Sequence, residues 1–394
     1  MDSETNLTMD MNMVNKICLS LMDVLFDPAS RDLVSSNDNP SAIKYSSFVL
    51  SIITCILGLV GNTVVIIVIG FVMKTFKSRI WFLNLAVADL MFLLVLPLNA
   101  VSVLRANWSY GNHICKMYNF LSIVNIYASI FLITALTIDR LLSVVKPIWH
   151  HMFYSPRVCY CVCAFIWVVT VLCSIPVILY SNEFEDDGSK ICSLFPSDIH
   201  RLTILSQYTN DIVFPEYALK DIEETCFDYI SDDNEFKEVL EIWTGIVSST
   251  RSILIPLLII GYCIPLCVIL CSNVAIALKV KTSKHIRSSK LYGIVVAAII
   301  AFFLTQTPLV IAQFFLLTAI QNINFSSIFK IVSLSPLLSS IAYLNCCLNP
   351  IIYVFLGSEV MAVFTNILNR VRQRFTTRSS SVPNTPIIIQ LSPC

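Results

Sequence analysis

The chain has 394 residues, of which 56% are hydrophobic and only 13% charged, with 26 basic and 26 acidic side chains and a mean hydropathy of +0.76. That is too apolar for a soluble enzyme or a basic nucleic-acid-binding protein, and it places the chain among integral membrane proteins. The zero net charge hides an asymmetry: 7 of the 26 acids lie in 1–45 and 16 in 181–245, leaving only Asp89, Asp139 and Glu359 elsewhere.

Residues 1–45 are polar and show neither the apolar core nor the cleavage site of a secretory signal, so the first long apolar run is expected to direct insertion. Runs of the length that crosses a bilayer, about 20 residues, follow at roughly 46–72, 80–104, 112–144, 157–180, 246–278, 291–319 and 328–356. They are continuous and lack two-residue alternation, which predicts an all-α bundle of seven transmembrane helices and excludes a membrane β-barrel. Residues 1–45 then form an outer tail, and 46–356 the seven-span domain, interrupted by a long acidic loop over 181–245. Residues 357–394 are expected to carry a short amphipathic helix and a Ser/Thr-rich cytoplasmic tail.

Lys and Arg decide the orientation. Lys74, Lys77 and Arg79 follow span one, Arg140, Lys146 and Arg157 follow span three, and KVKTSKHIRSSK at 279–290 follows span five. These fall on one side, read as cytoplasmic, and the acidic segments fall on the other. A plasma-membrane, multi-pass chain with its N-terminus outside is therefore expected. The glycosylation sequons at Asn6, Asn107 and Asn324 all lie on the predicted outer face. Most of the 15 cysteines sit in apolar spans as small buried hydrophobes, which leaves Cys18, Cys115, Cys192 and Cys226 for the oxidising side. We pair Cys115 with Cys192, tying the start of span three to the long loop, and leave Cys18 with Cys226 as a second bridge.

Signatures of catalysis are missing: there is no phosphate-cradling glycine loop among nine glycines, no metal-spaced cluster among five histidines and no nucleophile motif. No enzyme activity is expected. The basic run at 279–290 adjoins a span and reads as topology and as contact with anionic membrane lipid or a cytoplasmic partner, not with nucleic acid.

In chain order the spans carry Gly61-Asn62, LAVAD ending at Asp89, Cys115, Asp139-Arg140, Trp167, Pro265, Phe302 with Pro308, and NPIIY at 349–353. This set resembles the rhodopsin-like G-protein-coupled receptors across 46–356. IWFLNLAVADL, TALTIDRLLSVVKPIW, GYCIP and NCCLNPIIYVFLG are similar to the chemoattractant branch, which holds anaphylatoxin, formyl-peptide and chemerin receptors. KPIW at 146–149, SIPVILY at 174–180 and the long acidic loop bring the likeness nearest to C3a-type receptors.

The resemblance implies a receptor for an extracellular, basic chemotactic peptide such as the complement anaphylatoxin C3a. It would signal through heterotrimeric G proteins, with arrestin meeting a phosphorylated tail. It implies an allosteric sodium ion held by Asp89, Asn62, Ser129, Asn345 and Asn349. It gives Asp139, Arg140, Ile130, Pro265, Phe302, Gln306, Pro308, Pro350 and Tyr353 roles in activation and coupling. Tyr217 and Tyr229, flanked by acids, match the family's sulfotyrosine sites. With Asp228, Asp232 and Asp233 they would form an electrostatic lure for a cationic ligand.

Departures matter too. The family's tryptophan before the span-six proline is Gln306, its span-five tyrosine is Asn273, and Leu141 follows Arg140. Leu257, Ser181 and Ser335 stand where C3a-type receptors place polar anchors for a terminal arginine. A decoy receptor with weak coupling is therefore an alternative. A transporter or channel fits less well, because only one acid lies mid-membrane and no internal repeat is present.

Overall fold

The computed structural model describes residues 41–72, 79–153, 155–186, 188–194, 233–282 and 290–356, together with Lys16 and Ser20. Seven helices in it are long and apolar enough to cross a membrane: Ala42–Phe71, Arg79–Arg105, Asn112–Val145, Pro156–Tyr180, Trp243–Lys281, Tyr292–Gln321 and Phe325–Tyr353. We refer to them as spans one to seven. Helices are the natural solution because every backbone polar group in hydrocarbon must be paired within its own segment.

Several spans deviate from a uniform helix, and the sequence explains most of the deviations. Span one is α-helical over Ser41–Val65 and continues as a π-helix over Ile66–Val72. Span two is interrupted after Leu93 and resumes at Leu96, where Pro97 occupies the first turn and loses no helical bond by lacking an N–H. Span five carries a π-helical turn at Ile259–Cys263, between Pro256 and Pro265. Span seven breaks at Leu344, between helices Phe325–Tyr343 and Asn345–Leu356. With 34 residues, span three is roughly 50 Å long at about 1.5 Å per residue, well beyond a hydrocarbon core of about 30 Å, so its ends project.

Two features of the region read as one loop over 181–245 are new. Its start is a β-hairpin, β1 over Asn182–Asp186 paired antiparallel with β2 over Ser189–Ser193, and Gly188 supplies the positive φ of 75° in the turn. Its end is helical from Asp233 onward, so the fifth helix begins well before the apolar run does. A short helix, Pro147–Phe153, also follows span three. The amphipathic helix and tail expected over 357–394, and most of the acidic loop, lie outside the described residues.

The packing of spans one and seven shows why small residues recur there. A Cβ added at Gly61 would sit 2.7 Å from Pro350 Cγ, and one at Gly58 would sit 2.6 Å from Leu93. Gly61 thus lets the NPIIY segment lie directly against span one. Ser340 Oγ lies 2.7 Å from Ser47 Oγ and 3.0 Å from Ser51 Oγ, a polar seam between the same two spans. Such small and hydroxyl residues hold helices together where lipid removes any hydrophobic drive between them.

Candidate functional site

Cys115 and Cys192 form a disulfide with their Cα atoms 5.5 Å apart. It anchors β2 to the start of span three, and backbone contacts reinforce it: Trp108 N donates to Lys190 O at 2.6 Å, Lys190 N to Asn107 Oδ1 at 2.9 Å, and Glu183 N to Asn112 Oδ1 at 3.0 Å. Lys190 also donates to Glu183 across the hairpin at 2.9 Å, and that carboxylate raises the lysine's pKa above its ordinary value. Cys18 and Cys226 lie outside the described residues, as do Asn6, Tyr217, Tyr229, Asp228 and Asp232; Asp233 starts the helix of span five. Asn107 and Asn324 stand at the hairpin end of the bundle, where Asn324 Oδ1 caps span seven by accepting from Ser327 N at 2.9 Å.

Asp89 is fully buried at the centre of the bundle. Asn125 Nδ2 donates to its Oδ1 at 2.9 Å and Asn349 Nδ2 to its Oδ2 at 3.2 Å, so spans two, three and seven meet on one carboxylate. Asn62 belongs to the neighbouring shell instead: it donates to Gly58 O at 2.9 Å and Cys346 O at 2.8 Å, stitching span one to span seven. Ser129 Oγ, Asn62 Oδ1, Asn349 Oδ1 and both amide atoms of Asn345 are buried and make no hydrogen bond. Buried oxygens without donors are costly unless something else satisfies them. Asn125 was missed from sequence, although it lies four residues before Ser129 and so on the same helical face.

Gln306 is buried, and its Nε2 donates to Ala342 O at 3.2 Å, just before the break in span seven. Its neighbours are also satisfied: Thr305 Oγ1 bonds Ala301 O at 2.9 Å, and Thr307 Oγ1 lies 2.7 Å from Tyr262 OH on span five. The polar triplet that replaces the family's pattern before Pro308 is therefore accommodated by backbone carbonyls and neighbouring spans. Ile130 and Phe302 are fully buried in one core cluster, and Pro265 is buried on span five.

At the opposite end of the bundle Arg140 pairs with its neighbour Asp139, which is buried. His150, on the short helix after span three, places Nε2 3.0 Å from Asp139 Oδ1, so the carboxylate is gripped from both sides. No spacing rule could have linked residues 139 and 150 across the helix break at Lys146. Asn273 accepts from Tyr292 OH at 3.2 Å, tying span five to span six where the family carries a tyrosine. Tyr353 packs edge-on against Phe82, with ring centroids 4.6 Å apart.

A family model described as 7 transmembrane receptor (rhodopsin family) matches residues 61–213 and 230–353. Chemerin-like receptor 1 of Sus scrofa is 29% identical over 337 residues, covering 84% of this chain and 83% of its own length. The C3a anaphylatoxin chemotactic receptor of Oncorhynchus mykiss is 27% identical over 365 residues, covering 91% and 88%. The type-1 angiotensin II receptor A of Rattus norvegicus is 30% identical over 360 residues, covering 87% and 88%.

Proposed function

The chain belongs to the rhodopsin family of seven-transmembrane receptors, and from that premise we propose that it detects an extracellular basic chemoattractant peptide and signals through heterotrimeric G proteins at the plasma membrane. The N-terminus and hairpin end face outward and the Arg140 end faces the G protein, with arrestin as a further partner of the Ser/Thr-rich tail. The observation that carries the ligand reading is charge: residues 181–245 hold 16 acids against four bases, Lys190, Arg201, Lys220 and Lys237. Similarity to both a C3a and a chemerin-like receptor supports the chemoattractant class. The direct test is agonist-dependent nucleotide exchange on purified G protein, with C3a and chemerin peptides tried first. A chain that binds such a peptide yet never accelerates exchange would be a decoy, the reading that Gln306, Asn273 and Leu141 favour.

An acidic loop of this kind acts mainly on encounter, since long-range attraction is screened over about 10 Å at 0.1 M salt. Neutralising Asp228, Asp232, Asp233 and Glu235 together is expected to lower the association rate of a basic peptide several-fold at low salt while the dissociation rate changes little. Stopped-flow or surface-resonance kinetics check this. Association that is as fast in the mutant as in wild type would remove the lure.

We also propose that the Asp89 cluster accepts a sodium ion. The residues fit it: one buried carboxylate is accompanied by the donor-less oxygens of Ser129, Asn345 and Asn349, with the donor-less Asn62 Oδ1 in the next shell. Among the described residues no three His, Cys, Asp or Glu side chains gather in one place, so a single negative charge with neutral oxygens suits a monovalent hard cation over a divalent one. Replacing choline by sodium in the buffer is expected to reduce agonist affinity several-fold in wild type and to leave Asp89→Ala unchanged. Equal sodium sensitivity in both would remove the ion from this site.

A further inference from the structure

Outside the bundle interior, residues of spans six and seven toward the hairpin end line a cleft of about 470 Å³. This lies within the range of about 300–1,000 Å³ that small ligands occupy. Its lower part is apolar, formed by Pro308, Ile311 and Phe315, and its rim is polar, formed by Asn322, Ser327 and Lys330. The core of the bundle faces the other side of span six, through the buried Phe302, Gln306, Leu309 and Ile320. Ile311 and Phe315 are 50% and 56% exposed, so the cleft opens sideways into the zone the membrane occupies.

The chemistry of the lining selects the occupant. Among the described residues, Lys330 makes no ion pair and no acid lines the cleft. One ammonium near the membrane surface, with only neutral amide and hydroxyl groups among its described neighbours, suits one negative charge. Below it, from Asn322 to Pro308, the groove runs roughly 20 Å at about 1.5 Å of helix rise per residue, the reach of one extended acyl chain. We propose that this cleft is a lipid site for a long-chain fatty acid. The carboxylate sits on Lys330 among the rim polar groups, and the chain lies along Ile311 and Phe315 with its methyl end at Pro308. Phe325 N donates to Ser20 Oγ at 3.2 Å at the start of span seven, so residues 1–40 are the competing occupant that the labelling must distinguish.

The full-length receptor in phosphatidylcholine nanodiscs tests this with a photoactivatable, clickable palmitic acid and peptide mapping by mass spectrometry. Labelling is expected to concentrate on residues 308–319 and to be competed by unlabelled palmitate. Lys330→Ala is expected to lower it about fivefold, the factor set by about 1 kcal/mol, and Lys330→Arg to restore it. Ala312→Phe, which fills the groove while leaving Lys330 in place, is expected to abolish it. Thermal melting of each variant separates loss of the site from loss of the fold, and no step depends on G-protein coupling or on the peptide ligand. Labelling spread evenly over all lipid-facing spans, unchanged in Lys330→Ala, would overturn the proposal. So would equal labelling by the methyl ester, by a two-chain phosphatidylserine probe, or labelling that maps to residues 1–40.

Discussion

Cys115→Ser is expected to lose most of the peptide-binding receptor at the cell surface, and Cys192→Ser to lose the same amount. The bridge closes a stretch of 77 residues that includes most of span three and all of span four, and in the chain-entropy description a loop of that size is worth about 4.5 kcal/mol. Against a total stability of about 5–15 kcal/mol this is a large share. Local geometry raises the cost, because the hairpin is otherwise held there by a few hydrogen bonds, to Asn107 and Trp108 just before span three and from Glu183 N to Asn112 at its start. Since both sulfurs belong to one bond, the double substitution is expected to be no worse than either single one. Surface immunostaining with saturation binding reads the loss. Normal surface levels with unchanged affinity in either single mutant would show that the bridge contributes nothing to the outer architecture. Additive losses would show that each cysteine acts through some other contact.

How much of this was legible beforehand depends on the range of the interaction. Seven apolar runs of bilayer length are a property of each segment alone, and the seven spans follow them closely because lipid forces helices on such runs. The fifth helix was the exception. Its start at Asp233 lies in polar sequence, where hydropathy carries no signal but helix formers such as Glu235, Lys237 and Glu238 do. The hairpin was hidden for another reason: NEFED and SKICS are too short and too polar to read as strands, and their pairing rests on the turn at Gly188 and on the disulfide.

The polar contacts divide the same way. Asp89 announces itself as a lone acid in an apolar run, whereas its partner Asn125 is one Asn among several, visible only through its register with Ser129. His150 reaches Asp139 across a helix break, and Tyr292 reaches Asn273 from another span. Those contacts depend on how helices are placed, which no local pattern encodes. Gln306 stands between these cases, conspicuous in sequence as a departure but interpretable only through its bond to Ala342.

That bond gives the departure a direction. Gln306 Nε2 ties span six to the backbone of span seven immediately before the break at Leu344, in the same structure that pairs Asp139 with Arg140. A paired Asp139–Arg140 is the resting arrangement that the family resemblance implies, and on that premise the Gln306–Ala342 bond is expected to belong to the resting packing and to oppose outward movement of span six about Pro308. Gln306→Leu keeps most of the volume and removes the donor. Ala342 O is not orphaned, because Leu344 N donates to it as the helix ends. The loss is then the net value of one hydrogen bond, about 1 kcal/mol, without the added cost of an unsatisfied buried group. Basal nucleotide exchange is expected to rise about fivefold while peptide affinity rises by no more than that factor, since a population shift is shared between the two. Gln306→Glu, which buries a carboxylate facing a carbonyl oxygen, is expected instead to reduce the amount of folded receptor, by the penalty of an unpaired buried charge. Exchange measured on purified G protein at matched receptor levels decides the matter. Basal rates in Gln306→Leu equal to wild type would mean that the glutamine only fills space, and lower rates would mean that its bond supports the active packing rather than the resting one.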